Sequence, residues 1–278
     1  MKRLEYRKVT MRFAGAKGAT FTAIEDVDFS VADGEVVSLI GPSGCGKSTL
    51  LNIGSGLYSP SVGDAFVDGE RVQGPNDHVA FMLQKDLLLP WRTIEQNVLL
   101  GTEIRKLNAA DSRRKARDLL QAFKLGEFAE RYPHQLSGGM RQRAALARTL
   151  AVDPSVLLLD EPFSAVDAQT RIMLQHDLAQ TLMKANKTAL LITHDLLEAV
   201  ILSDRVLVMS RRPGRIIDEI VIDIPERDHP LKRRRDPKVA GYISRLMDKL
   251  DIGGHDAQES AQESTQESVQ ESAQKEPA

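Results

Sequence analysis

The stretch VVSLIGPSGCGKSTLL (36–51) constrains the fold more than any other in the chain. Val36 to Ile40 form a run of buried-strand length that leads straight into a glycine-rich loop, and STLLNIGSGL then reads as a helix. Glycines at 41, 44 and 46 let the backbone curl so that successive N–H groups point inward, and the following helix adds positive charge at its start. Lys47 is placed to reach the β and γ phosphates of a nucleotide, and the Ser48 hydroxyl to ligate magnesium. The expected phosphate cradle is therefore Gly41, Pro42, Ser43, Gly44, Cys45, Gly46, Lys47, Ser48 and Thr49. An ordinary glycine turn has no need of Lys-Ser at a helix entrance.

A strand–loop–helix unit of this kind belongs in an α/β sheet, and the rest of the chain agrees. VLLLD (156–160), ALLIT (189–193) and VLVM (206–209) are further apolar strand-like runs, and FMLQ (81–84) ends another. Strands alternating with helices imply a mostly parallel sheet covered on both faces. Residues 4 to about 40 read as short strands, with Val27, Phe29 and Val31 alternating with polar positions. Residues 95 to 152 read as helical throughout. Within them Ala116, Leu119, Leu120 and Phe123 fall on one helix face, with Gly126 a stop signal.

The two acids closing VLLLDEP (156–162) lie at a strand end, where open α/β sheets place their ligands. Asp160 is expected to hold magnesium, and Glu161 to polarise an attacking water. LSGGMRQR (136–143) poses a separate problem. It is a second glycine loop in front of a helix, well suited to a phosphate, in a chain that already has a better one.

These motifs together resemble the ATP-binding-cassette ATPases. The resemblance runs from about residue 4 to 225. It includes LSGGM as the family signature, Gln84 in FMLQKD as its Q-loop, SAVD (164–167) as its D-loop and His194 in LLITHD as its switch histidine. Val166 stands where leucine is more usual. Phe13 lies about where the family places an aromatic that stacks on adenine, with Tyr6 as a rival. The resemblance implies a P-loop NTPase with a mostly parallel core sheet, an N-terminal antiparallel β subdomain and an inserted helical signature subdomain (about 95–152). ATP and Mg2+ are implied as ligands, with Ser48, Gln84 and Asp160 on the metal and Lys47, Gln84, Glu161 and His194 as catalytic residues. It also answers the question of the second loop. Ser137, Gly138, Gly139 and Gln142 are expected to act on a nucleotide held by a second copy of the cassette, in a homodimer or heterodimer, with Asp167 at the dimer interface.

LLLPWRTIEQNVLLG (87–101) and MSRRPGRI (209–216) resemble ATPase subunits of bacterial nitrate, sulfonate and taurine importers. That implies a position on the cytoplasmic face of the inner membrane, transmembrane permease partners touching Leu89, Pro90 and Trp91, and an external solute-binding protein. Trp91 also reads as packing between lobes, and Pro213-Gly214 as a turn. An exporter ATPase shares every catalytic motif. A soluble relative acting on DNA or ribosomes would carry a second cassette or a coiled-coil insertion, and a P-loop kinase would leave LSGGM unexplained.

Composition narrows the partners. A formal net charge of −2 gives no reason to expect nucleic acid, and a lone cysteine, Cys45, allows no intrachain disulfide and suits a reducing compartment. No apolar run reaches the roughly 18 residues that span a bilayer, and MKRLEYRKV lacks the apolar core of a secretory signal. Residues 226–256 read as a basic, helical extension with Val239, Tyr242, Ile243 and Leu246 on one face behind the run KRRR (232–235), which is expected on the surface, as solvated charge or, less readily, in contact with anionic lipid headgroups. Residues 257–278, a QES repeat, read as disordered.

Overall fold

The protein is described by a computed structural model covering residues 1–14, 19–164 and 166–251. The QES repeat and Ala165 lie outside these residues.

Two sheets divide the strands. In the first, β1 (Lys2–Ala14) pairs antiparallel with β2 (Thr20–Ala32) on one side and with β4 (Val62–Val67) on the other, and β5 (Glu70–Arg71) closes the far edge. The N-terminal strands are longer than their sequence suggests, 13 residues each. The β1–β2 register slips at several points, and Lys8 (φ 49°) and Asp26 (φ 49°) adopt left-handed backbone there. Each slip moves the apolar set to the other pleat, which breaks the alternation that marks a strand.

The second sheet runs β10 (Ile216–Val221), β9 (Arg205–Met209), β3 (Val36–Ile40), β8 (Thr188–Ile192), β7 (Val156–Asp160), β6 (Val79–Met82). All its pairs are parallel except β10 with β9. β3 and β8 are buried at every position, as central parallel strands must be when both faces are covered. α1 (Lys47–Gly54) follows the glycine loop and lies between the sheets, its Leu50, Leu51 and Ile53 sharing a core with Tyr6 and Leu158.

The stretch 95–152 holds three α-helices, α2 (Ile94–Ile104), α3 (Ala109–Ala122) and α4 (Gly138–Ala151), with 3-10 turns at Gly126–Phe128 and Pro133–Gln135 between the last two. Side-chain caps explain the breaks. Thr93 and Gln96 form a reciprocal capping box on α2, Asn108 caps α3 and Ser137 caps α4. Ala116, Leu120 and Phe123 are fully buried against α4 residues such as Ala144 and Leu146.

α5 (Ala168–Lys184) and α6 (Leu196–Leu202) cover the sheet, and the chain continues into α7 (Pro230–Arg233) and α8 (Lys238–Lys249). Val239 and Leu246 of α8 join the core formed by Ile40, Ala199, Val206 and Ile220. The surface expectation for KRRR fails at Arg233, which is 3% exposed. Its guanidinium donates to the carbonyls of Val200, Ile201 and Ser203 at the end of α6 and to those of Ile224 and Pro225. A helix C-terminus presents unpaired carbonyls, and a planar cation with five donors satisfies them.

Candidate active site

The site is built at the C-terminal ends of β3, β7 and β8. Glycine is required at 46: its φ is 108°, and a Cβ there would stand 2.3 Å from Ile24 Cγ2. Lys47 opens α1 and folds back along the loop, its ammonium donating to the carbonyls of Gly41 (2.7 Å) and Pro42 (2.9 Å). Cys45 is buried within the core beneath the loop, with its sulfur 3.8 Å from the same ammonium.

Above the loop lies a cleft of about 320 Å³. Ser43, Gly44, Gly46, Lys47, Ser48 and Thr49 form its floor, Glu161 and Ile192 one wall, and Phe13, Phe21 and Arg212 the other. Phe13 and Phe21 face each other across the β1–β2 ladder and stack at 5.6 Å, while Tyr58 meets Phe13 edge-on at 5.8 Å. Tyr6, the rival to Phe13, is fully buried and its hydroxyl donates to the Leu50 carbonyl. It is a core residue with no access to the cleft.

At the end of β7, Asp160 accepts a hydrogen bond from Ser48; burial pushes its carboxyl above the ordinary range, and that bond opposes the rise. A half-buried carboxylate held by a hydroxyl is a set of hard oxygens that suits a small divalent cation. The chain then turns sharply. Glu161 has φ 45°, in the left-handed region, and its amide donates to Ile192 of β8. Two groups meet on its carboxylate, and Ser164 supports one of them. Gln84 Nε2 donates to Glu161 Oε2 at 3.0 Å, His194 Nδ1 lies 3.3 Å from that same oxygen, and Ser164 Oγ is 3.4 Å from Gln84 Nε2. The order of motifs along the chain anticipates Gln84, Glu161 and His194. It does not anticipate Ser164, Phe21, Tyr58 or Arg212, whose places depend on pairing between distant segments.

The signature segment stands apart. Ser137, Gly138 and Gly139 do not line the cleft. Ser137 and Gly138 are exposed, with the Ser137 hydroxyl accepting from Met140 N at the start of α4. Gln142, expected beside them, is buried at 3% exposure, and its carboxamide donates to the Pro162 carbonyl at 2.6 Å. It ties α4 to the turn that carries Glu161 and is not presented outward. Asp167 is exposed and caps α5, accepting from Thr170 N; hydrogen bonds from the Thr170 hydroxyl and then its backbone amide hold the Asp167 carboxyl below the ordinary range.

Asn97, buried in α2, holds the loop after Gln84 by bonds in both directions. Its Oδ1 accepts from Leu89 N at 2.7 Å, and its Nδ2 donates to the carbonyls of Leu89, Arg92 and Thr93. The loop so held leaves Trp91 72% exposed, which rules out packing between lobes. Pro90 is exposed and Leu89 partly so.

A phosphate loop between a central parallel strand and a helix, facing an Asp-Glu pair on a neighbouring strand, defines a P-loop nucleoside triphosphatase. Residues 24–164 match the family described as ABC transporter. An uncharacterised ABC transporter ATP-binding protein of Bacillus subtilis is 46% identical over 216 residues, covering 78% of this chain and 83% of that relative. A taurine import ATP-binding protein of Jannaschia is 40% identical over 250 residues, covering 89% and 93%. Among solved structures, a dimeric ATP-binding cassette in a post-hydrolysis state with ADP and Pi superposes with a TM-score of 0.70 at 29% identity, covering 80% of this chain and 99% of that one. The chain belongs to the ABC transporter family and is one of its ATP-binding, ATP-hydrolysing subunits.

Proposed function

We propose that this chain drives a bacterial importer as one of two ATPase subunits that sandwich two ATP molecules head to tail, with uptake of taurine, another sulfonate, nitrate or a related small solute through permease partners. The observation that carries the dimeric part is the exposed, Ser137-capped start of α4, a helix N-terminus of the kind suited to phosphate, which takes no part in the cleft of its own chain. In the proposed dimer it meets the γ phosphate held by the Gly41–Thr49 loop of a second copy, and Asp167 lies at the interface. A two-fold arrangement makes both sites equivalent. ATP does mechanical work only if it prefers the closed state, and a γ phosphate touched from both sides supplies that preference.

Within one cleft, Phe13 stacks on adenine and the loop amides with Lys47 hold the phosphates. Glu161 accepts a proton from the attacking water, and His194 steadies the γ phosphate. Ser48, Asp160 and one face of Gln84 are the residues that would hold Mg2+, which when bound neutralises charge developing on the phosphate oxygens. Gln84 must leave Glu161 to free the base, which links catalysis to the loop that bears Trp91.

The exposed Leu89–Trp91 segment, pinned by Asn97, is the proposed permease contact. No helix among the described residues is long and apolar enough to cross a membrane, so attachment at the cytoplasmic face is proposed to run through those partners, with an external solute-binding protein completing the system. Purification from detergent-solubilised membranes should recover a polytopic partner, and the assembled complex should take up taurine, an alkanesulfonate or nitrate at the cost of ATP. Recovery of ribosomes or DNA-repair proteins instead, or ATP-driven export, would overturn the importer reading.

A further inference from the structure

The sequence gives MSRRPGRI (209–216) a family resemblance and a turn but no residue with a role, yet this segment presses on the phosphate loop at two points. A Cβ on Gly41 would stand 2.9 Å from Met209 Cβ, and one on Gly214 would stand 2.0 Å from the Cys45 carbonyl oxygen. Gly214 is stitched to β2 by two backbone bonds, Gly214 N to Ala23 O and Glu25 N to Gly214 O, both 3.0 Å. The turn is thereby fixed in place, and Arg212 projects from it over the cleft.

Arg212 makes two contacts there. Its Nη2 and Nε donate to the Gly44 carbonyl at 2.9 and 3.2 Å. Its guanidinium carbon lies 5.1 Å from the centre of the Phe21 ring, which itself stacks on Phe13. The first contact has a consequence for the loop. In a trans peptide the C=O and N–H point opposite ways, so a carbonyl drawn outward by Arg212 turns the Cys45 N–H toward the inside of the loop. That amide donates to Pro42 O at 3.3 Å, within the loop itself. The second contact sets a planar cation at the aromatic end of the cleft.

We propose that Arg212 is a nucleotide-positioning residue: it locks the Gly44–Cys45 peptide with its N–H turned into the loop, where a phosphate oxygen would replace the Pro42 carbonyl as acceptor, and with Phe21 it walls the base end of the cleft. This rests on ATP occupying the cleft above Gly41–Thr49. The role is one of binding, because the guanidinium is directed at Gly44 and Phe21 and not at Glu161.

The test uses the full chain and its Arg212→Ala, Arg212→Lys and Lys47→Ala variants, measuring ATP affinity by equilibrium titration, steady-state hydrolysis, and melting temperature without nucleotide. A pair of charge-assisted hydrogen bonds predicts a rise of about tenfold in Kd and KM for Arg212→Ala with kcat within about twofold. Lysine can reach Gly44 with one bond but cannot present a plane to Phe21, so Arg212→Lys should recover part of the loss. A purely structural role would instead lower the melting temperature and leave the KM of the folded fraction alone. Unchanged ATP affinity in Arg212→Ala, beside lost affinity in Lys47→Ala, overturns the inference. Unchanged affinity in both variants overturns the placement of ATP on which it stands. Should Arg212→Ala fail to fold, Arg212→Lys alone decides, with a KM raised about threefold expected and a wild-type KM contradicting it.

Discussion

Gln84 donates its carboxamide N–H to Glu161 Oε2 at 3.0 Å, linking the loop just beyond β6 to the carboxylate just beyond the neighbouring β7. The bond engages the oxygen to which water would give its proton, and His194 lies 3.3 Å from that same atom. Glu161→Gln removes the proposed base while keeping the shape of this cluster. ATP affinity should stay near wild type while turnover falls by about 10²- to 10⁴-fold, the usual worth of a positioned base. Steady-state hydrolysis beside equilibrium binding checks this, and wild-type turnover would refute the role of Glu161.

The account gives the C-terminal extension a part in stability through Arg233. Removing that side chain leaves carbonyls of Val200, Ile201, Ser203 and Ile224 without their donor inside the protein. Arg233→Met keeps much of the volume and none of the hydrogen bonds, and should lower stability by about 2–4 kcal/mol. Urea unfolding measures it. Arg235→Met, in an exposed position of the same basic run, should change stability by less than about 0.5 kcal/mol.

A pH dependence follows from Glu198. Burial in α6 pushes its carboxyl up to about 8, with nearby Asp195 adding to the rise and Arg171 opposing it. The folded pKa lies above the unfolded one, so the folded state holds the proton more tightly. Glu198 therefore contributes stability that is complete below about 4.5, the ordinary value, and is lost as pH rises through about 8. Glu198→Gln stays neutral at every pH. The variant should gain on wild type steadily between pH 5 and 8, and the gap should level off above that. A gap independent of pH across this window would show that Glu198 is ionised in the folded protein throughout.

Trp91 carries the proposed link to the membrane. Because it is 72% exposed and its loop is held by Asn97, Trp91→Ala should leave basal hydrolysis and melting temperature near wild type and reduce recovery of the permease partner on purification. Undiminished recovery would place the contact elsewhere.

Much of the core was legible because its physics is local. VVSLI, VLLLD and ALLIT are central parallel strands buried on both faces, and such strands write themselves as continuous apolar runs. The glycine loop, the Asp160-Glu161 pair and His194 follow from chemistry that needs particular residues at particular strand ends. β1 was less legible because its register slips erase the two-residue period. Phe21 and Arg212 were invisible for another reason: only the pairing of β1 with β2, and the packing of the 209–214 turn on the phosphate loop, bring them to the cleft. Arg233 and Gln142 mark a third limit. A charge run and a polar residue beside a signature motif both look like surface, and neither reveals the row of carbonyls or the single Pro162 oxygen waiting inside.

The central claim is that α4 of one chain completes the nucleotide site of another, and ATP-dependent dimerisation tests it most directly. Sedimentation of the Glu161→Gln chain with ATP should show a shift from monomer to dimer. Adding Ser137→Arg, which sets a large side chain at the exposed start of α4, should leave ATP affinity intact and hold the protein as a monomer. A double variant that dimerises with ATP as readily as Glu161→Gln alone would contradict the account.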